Sequence, residues 1–597
     1  MSDVVITESY LEDIADAIRD RNGTNQKYKI HEMDEAIRDL HNGLVEKWVR
    51  PSDWPDYSNV DLTDQEVIYL TYDAYNYEDS YISIRVYGDY IVQKGLIDNG
   101  EFVASGTATE CSSGTVFQEL LVPIDNHNFI CYKITPQEGA VITRFAFAQK
   151  TDVNSSRVFQ SNFQPCVERY CRLPNWIGTA NRSANAYTWT TRFLRADTIM
   201  DASPVNLNHF YNDGWVLERC DLSTCSFANV TKMYQSFFNQ QLLSECFLPH
   251  DLSDKCTELN GTFQSCYGLI FIDVSGWDTS NVTTFNNMFS GDRELIEIKG
   301  IEDFNVSSAT SLSGIFNACR SLRKLDVSKW VTTDKLTNLN NTFCDLYRVE
   351  ELDVSGFNTE NVTNFGACFS SVQKLKSIDL SNWTISNKTT NLNNMFTYCR
   401  KLKTIIRNKD WDTSKVTGFS EMFRECKSLV EIDLSDFDFS KATSIKGMFQ
   451  DCNLLKGVKA TIDLSSLTNV SNVAAFMQNC WVFSDFDNLT ITNCKYMPYF
   501  GYCNNGLTHV EIPSTVTTIP NDTFRDCYHL QVISFANHTA IPSLVNTNAI
   551  LLNGNTKLKV VVPDSLYDTW ITTTNWSNAT IVGMTIKVSE YEASLSS

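Results

Sequence analysis

Histidine is scarce in this chain: eight in 597 residues, and none between His250 and His509. That central stretch therefore holds no Ser-His-Asp or Cys-His catalytic set and no Cys/His zinc site. Cys-x-x-Cys, the P-loop, Gly-x-Gly-x-x-Gly and His-Glu-x-x-His are also missing, so none of the chemistries those spacings support is indicated. A carboxylate pair of the glycosidase kind stays open, because acidic residues occur throughout. Positive charge is in short supply too, with a net charge of −22. A phosphate backbone would be repelled, so nucleic acid is excluded as a partner. No apolar run approaches 18 residues, and no membrane insertion is expected. The opening MSDVVITESY has no basic start followed by an apolar stretch, and the end SEYEASLSS is polar. The expectation is a chain made in the cytoplasm and not exported by the usual route.

What is abundant is repetition. A Phe-x-x-Cys pair recurs as Phe263/Cys266, Phe316/Cys319, Phe396/Cys399, Phe423/Cys426, Phe449/Cys452, Phe500/Cys503 and Phe524/Cys527. Between these the slot is filled differently: Phe210/Asp213, Phe237/Gln240, Phe289/Asp292, Phe343/Leu346, Phe369/Val372 and Met477/Cys480. Successive slots stand 26–28 residues apart until the last two, at 23 and 24. A fixed period in the 20s means a solenoid, since one unit cannot bury its apolar side alone. We expect a mixed, repeat-dominated fold: about 13 turns of 26–27 residues over 191–535, with a C-terminal cap at 536–597. In each unit Leu-x-x-Leu/Ile-Asp-Val/Leu-Ser reads as a short strand. Leu392, Met395, Phe396 and Cys399 share one side of what reads as a short helical turn.

Ahead of the repeats, residues 1–45 read as a helical hairpin. Ser9 to Glu12 forms a capping box, and Leu11, Ile14, Ala15 and Ile18, then Met33, Ala36, Ile37 and Leu40, make two apolar stripes. It serves either as a cap or as an attachment and oligomerisation element. Residues 46–150 are rich in β-branched and aromatic residues and read as an antiparallel β-sandwich. Its tyrosines (Tyr69, Tyr72, Tyr75, Tyr77, Tyr81, Tyr87, Tyr90) suit sugar stacking, but tyrosine is also an ordinary strand residue. Residues 151–190 are a transition. In 536–597 a strand, a helix started at Pro563-Asp564 and a last strand are expected.

Three repeat columns have both a functional and a structural reading. Asp221, Asp273, Asp326, Asp353, Asp379, Asp433 and Asp463 would bind calcium or hydrogen-bond local backbone. The second reading is preferred, because no glycine-bearing calcium loop is present. Trp277, Trp330, Phe357, Trp383, Trp411 and Phe437 would form a glycan platform if exposed, or a core ladder if buried, the commoner outcome. The 19 cysteines fall mostly on one slot that tolerates Leu, Val, Asp or Gln. That is the behaviour of small buried thiols. No metal or cofactor is expected.

The repeats resemble the bacterial leucine-rich repeat family typified by the BspA surface proteins. The longer pattern, Leu-Asp-Val-Ser-x-Trp-x-Thr-Ser-x-Val-Thr…Met-Phe-x-x-Cys-x-x-Leu, is matched by 272–295, 378–402 and 405–429, and the shorter one by 510–535. This resemblance implies binding rather than catalysis. Segment 6–40 resembles N-terminal modules of tail and fibre proteins of phages infecting Gram-positive bacteria, and 48–57 and 562–577 resemble segments that accompany them. The implied function is a virion structural protein, a tail fibre or receptor-binding protein adhering to the bacterial host. Its partners would be a cell-surface receptor, glycan or protein, and other virion proteins through the N-terminal hairpin. A homo-oligomer, for which fibres commonly use trimers, is part of the same expectation. A capsid fibre or decoration protein and a bacterial adhesin exported by an unrecognised route are the alternatives.

Overall fold

The computed structural model describes residues 67–73, 81–99, 101–120, 129–140, 144–147, 167–172, 191–197, 205–210, 217, 219–223, 225–467, 470–484, 489–495, 506–524, 526–550 and 558–596. The helical hairpin expected over 1–45 lies outside them. Two compact units are formed, Met1–Asp61 with Ile97–Val103, and Leu62–Leu96 with Ala104–Ser597. Of the first, the described part comprises Ile97–Asn99 and Glu101–Val103, the latter within the strand Glu101–Ala104.

The second unit begins with two antiparallel sheets. In one, Val67–Asp73 pairs with Phe129–Pro136, which pairs with Tyr90 to Gly95. In the other, Tyr81–Tyr87 lies between Val116–Leu120 and Arg144–Phe147. Val86, Tyr132 and Ile134 are buried in their common core, and Phe117 meets Tyr132 edge-on at 5.9 Å. Tyr90 is buried, its hydroxyl donating to the Thr115 carbonyl at 3.1 Å, and Tyr87 is half-buried. Tyr90 is therefore structural. The side chains of the other five tyrosines lie outside the described residues.

Val167–Arg172 joins this module to the repeats. It pairs antiparallel with Val67–Asp73 on one side and parallel with Thr191–Asp197 on the other. One sheet thus passes from antiparallel to parallel at a single strand. From there the chain winds as a leucine-rich-repeat solenoid of about 13 turns, mostly sheet with little helix. Its first ladder runs through Arg219–Asp221, Glu245–Phe247, Phe271–Asp273 and Glu297–Lys299. Later pieces join Ser377–Leu380 to Thr404–Arg407, Glu431–Asp433 to Gly457–Asp463, and Gly457–Asp463 to Leu489–Thr492. A second column of parallel bridges is unbroken from Lys232 to Ser444.

The segment expected as a helical turn is not helical. In 392–399, alternate N–H groups leave the rung: Leu392, Asn394, Phe396 and Tyr398 donate to Gly418, Ser420, Met422 and Arg424 at 2.7–3.0 Å. Those between them, on Met395, Thr397 and Cys399, bond three residues back. An α-helix would bond every N–H four residues back and leave none for the next rung. The departure is made by two left-handed residues per rung, here Asn394 (φ 58°) and Tyr398 (φ 61°). The first of these positions holds Gly261, Asn287, Gly314, Asn341, Gly447 and Asp522 in six other rungs, residue types that tolerate positive φ, and Gln235, Ala367, Glu421 and Ala475 in four more.

At the C-terminal end, His509–Glu511, Val532–Ser534, Lys559–Val562 and Thr585–Lys587 continue as a parallel ladder. Stacking therefore runs on into the segment expected as a cap. Pro563 caps a 3-10 turn leading into the short helix Tyr567–Trp570. Thr585–Lys587 is the expected last strand, but it is preceded by a helix, Ala579–Met584, and followed by another, Val588–Leu595.

Candidate binding cleft in the solenoid

The legible columns face inward. Nine phenylalanine rings, Phe237, Phe263, Phe289, Phe316, Phe343, Phe369, Phe396, Phe423 and Phe449, stack with nearly parallel planes at 5.4–6.2 Å between centroids. This is the offset-stacked distance range, and it adds to the burial of each ring. All nine are buried, as is Phe524.

The cysteines do more than fill space. The Sγ–H of Cys266, Cys319, Cys399, Cys426, Cys452 and Cys480 donates to the carbonyl of the slot phenylalanine one rung before, Phe237, Phe289, Phe369, Phe396, Phe423 and Phe449 respectively, at 3.0–3.2 Å. Cys527 is buried in its own rung, and Phe500 and Cys503 lie outside the described residues. Among the described residues none of the sixteen cysteines forms a disulfide. Burial pushes the Cys399 thiol up to about 12 and those of Cys266, Cys319, Cys426 and Cys452 well above the usual range. The thiolate is the reactive form. The native chain at pH 8 should therefore leave these six column thiols unalkylated by iodoacetamide, whereas chain unfolded in guanidinium labels at all of them. Peptide mass mapping reads the difference, and labelling of the column in the native state would refute it.

The aromatic column is a core ladder. Trp277, Trp330, Phe357, Trp383, Trp411 and Phe437 are buried. The indole N–H groups of Trp277, Trp330, Trp383 and Trp411 donate to the carbonyls of Pro249, Ile301, Val354 and Trp383. No glycan can stack on it. Each column aspartate accepts, through Oδ1, the N–H two residues on: Ser223, Ser275, Ser328, Ser355, Ser381, Ser435 and Ser465, at 2.9–3.1 Å. Bonds from Ser328 and Ser381 hold the Asp326 and Asp379 carboxyls below the usual carboxylate range. Among the described residues no group of three or more His, Cys, Asp or Glu is placed to hold a metal ion.

The surface opens at one place that the columns do not predict. Ile405 and Trp411 stand six apart, where Ile272/Trp277, Leu325/Trp330, Ile378/Trp383 and Ile432/Phe437 stand five apart. This rung also carries Ile406 in the aspartate column and Arg407 where its neighbours have Leu380 and Leu434. An arginine cannot be left in an apolar column unpaired. Its guanidinium reaches the next rung, donating to both carboxylate oxygens of Asp436 at 2.6 Å and to the Asp433 carbonyl at 2.5 Å. It lies over the rings of Trp411 and Phe437, 5.2 and 5.0 Å from their centroids. The two side chains are only 10% and 15% exposed, so this is a nearly desolvated bidentate pair.

The strands Thr404–Arg407 and Glu431–Asp433 do not pair, although each keeps its other neighbour. Their Cα atoms lie mostly beyond 8 Å of each other, where laddered neighbours are about 4.8 Å apart. A cleft of about 540 Å³ lies here, with Ile405, Ile432, Leu429, Met422 and Phe423 on its apolar walls and Lys403, Lys409, Glu431 and Asp433 around it. Ile405 and Ile432 are half-buried, while their counterparts Ile272, Ile298, Leu325, Leu352, Ile378 and Val458 are all buried. Ile406 (47% exposed) and Val430 (37%) stand at the mouth. Sequence reasoning missed Arg407 and Asp436. The signal was there: one extra residue, and a cation in a column of Leu and Val.

Residues 205–296, 257–383, 291–408 and 367–488 match the family described as "Mycoplasma protein of unknown function, DUF285". Residues 460–553 match the BspA type leucine rich repeat region, six copies. No curated protein matches the chain. Among solved structures, a leucine-rich repeat protein from Bacteroides ovatus is similar at 15% identity and a TM-score of 0.35, over 74% of this chain and 100% of that one. A leucine rich cell surface protein from Faecalibacterium prausnitzii is similar at 13% identity and a TM-score of 0.24, over 76% of this chain and 92% of that one.

Proposed function

With a solenoid carrying repeats of the BspA leucine-rich type, we propose that this chain is an adhesion protein that binds a surface receptor through the solenoid. The observation that carries this reading is the cleft between 403 and 437, where half-buried Ile405 and Ile432 meet solvent. An exposed apolar surface rimmed by polar groups is the usual form of an interaction site. The inward columns are used up in holding rungs together, so binding falls to the outward groups and to this opening. The segment 6–40 adds the context of a tail fibre or receptor-binding protein of a phage particle, attached through its N-terminal module. Copies on one particle would multiply a modest affinity.

The test is binding of fluorescently labelled full-length protein to intact Gram-positive cells, beside the double variant Ile406→Lys, Val430→Lys. Both substituted side chains are exposed, so the fold is retained. Binding by the parent and a loss of about tenfold or more in the variant supports the reading. Equal binding by both moves recognition off the cleft, and no binding by the parent removes adhesion to such cells. Immunogold labelling of purified particles checks the virion context separately.

A further inference from the structure

We propose that the cleft takes an extended polypeptide strand from a protein partner, which inserts as the missing rung between Thr404–Arg407 and Glu431–Asp433. This rests on the reading of the cleft as the binding surface and names the class of ligand. On the far side of each wall a parallel strand pairs with the strand one turn away, residue for residue, as Ile378 with Ile405 and Ile432 with Val458. The strand ladder also lapses across the rungs at 325 and 352, but Leu325 and Leu352 are buried there, whereas Ile405 and Ile432 are half-buried. At the cleft the two facing edges have lost that partner. A backbone edge left unpaired is a template for another chain. One inserted strand needs about 9.6 Å between its neighbours, twice the ladder spacing, and the opening between these two edges is a cleft of about 540 Å³.

The walls specify what enters. The Arg407–Asp436 fork closes the C-terminal end, because it already occupies the Asp433 carbonyl. That leaves the rows Lys403/Val430, Thr404/Glu431, Ile405/Ile432 and Ile406/Asp433 open to an occupant. In the third row an inward side chain would lie between two half-buried isoleucines, so an aliphatic residue belongs there. In the second row Glu431 forms no ion pair among the described residues. Its row is the one in which Arg219 pairs with Glu245 across neighbouring rungs, so the occupant carries a cation. In the first row Lys403 likewise forms no ion pair among the described residues, and it calls for a carboxylate. Asp433 already meets Lys409 and Lys459, so the fourth residue is neutral and polar. Charge complementarity and apolar fit together define the stretch acid, base, aliphatic, neutral.

The test uses full-length protein and the peptide acetyl-Gly-Glu-Arg-Ile-Thr-Gly-amide with a fluorescent label, read by anisotropy. Hydrogen exchange of 403–407 and 430–433 is followed alongside. The expected result is saturable binding with slower exchange in both segments. Methylation of the peptide nitrogens that face the protein edges should weaken it about tenfold or more, and exchange of the Glu and Arg positions several-fold. Equal binding by the methylated peptide overturns strand insertion, because side chains alone would then suffice. Absence of binding overturns it as well. If the parent protein still attaches to cells in a manner sensitive to Ile406→Lys, Val430→Lys, the cleft stands as the adhesive surface and only the strand ligand falls.

Discussion

Asp436→Ala is expected to destabilise the repeats around residues 403–437 by about 3–5 kcal/mol, the usual consequence of removing one partner of a buried ion pair. The substitution leaves the Arg407 guanidinium, 10% exposed, with the Asp433 and Asn408 carbonyls but no opposite charge. The double change Arg407→Leu, Asp436→Asn should behave in the opposite way. It restores an apolar residue between Leu380 and Leu434, and exchanges of that kind are neutral or stabilising by about 1–4 kcal/mol. Together with both single variants it forms a cycle that isolates the pair. Repeat arrays need not unfold in one step, so protection by hydrogen exchange, resolved rung by rung, is the better measurement than a single melting curve. An effect of Asp436→Ala below about 1 kcal/mol would show that the pair is solvated and does not prop the rungs apart. The double variant should also close the cleft and abolish whatever it binds.

Asp292→Cys is expected to stabilise the solenoid by about 1–3 kcal/mol, the desolvation cost of an unsatisfied buried polar group. Asp292 occupies the cysteine slot and is fully buried. Its Oδ1 accepts from the Cys266 N–H at 2.8 Å, while Oδ2 has no partner. Burial lifts its carboxyl well above the ordinary carboxylate range. Cysteine there places a thiol where six other rungs have one donating to a carbonyl, and the Cys266 N–H keeps its bond to Phe263. The pH dependence follows from the direction of the shift. A carboxyl whose folded pKa is raised binds its proton more tightly when folded, so its contribution is favourable below the unfolded value of about 3.9 and is lost as pH rises toward the folded one. The advantage of Asp292→Cys should therefore be small near pH 4 and grow toward neutrality. Paired urea titrations across that range measure it, and a difference that is flat with pH would mean that Asp292 stays ionised in the folded chain.

The solenoid was legible because its information is periodic. A slot that accepts Phe and Cys at constant spacing can only stack, and the slot phenylalanines from Phe237 to Phe449 are buried. The helical turn was misjudged because Leu392, Met395, Phe396 and Cys399 have helical spacing, and two successive turns bonded three residues back give that spacing as well. Glycine, asparagine and aspartate at the Asn394 position of six other rungs hinted at the distinction, but Gln235, Ala367, Glu421 and Ala475 at the same position blurred it. The cleft was illegible for a different reason. It arises from one inserted residue and one arginine, and reading by period averages away what happens once.

In the turn column, hydrogen bonds that pass from rung to rung run along the stacking direction rather than across it. Pulling on the two ends of the solenoid therefore loads its rung interfaces one after another, like links in a chain, and the array is as strong as its poorest link. Between Thr404–Arg407 and Glu431–Asp433 the strand ladder is missing, and an arginine fork takes its place. The ladder also lapses across the rungs at 325 and 352, where buried Leu325 and Leu352 still pack, but with Ile405 and Ile432 only half-buried the cleft interface would part early under tension. A strand lodged there would supply the absent bonds, so that an occupied solenoid resists force better than an empty one.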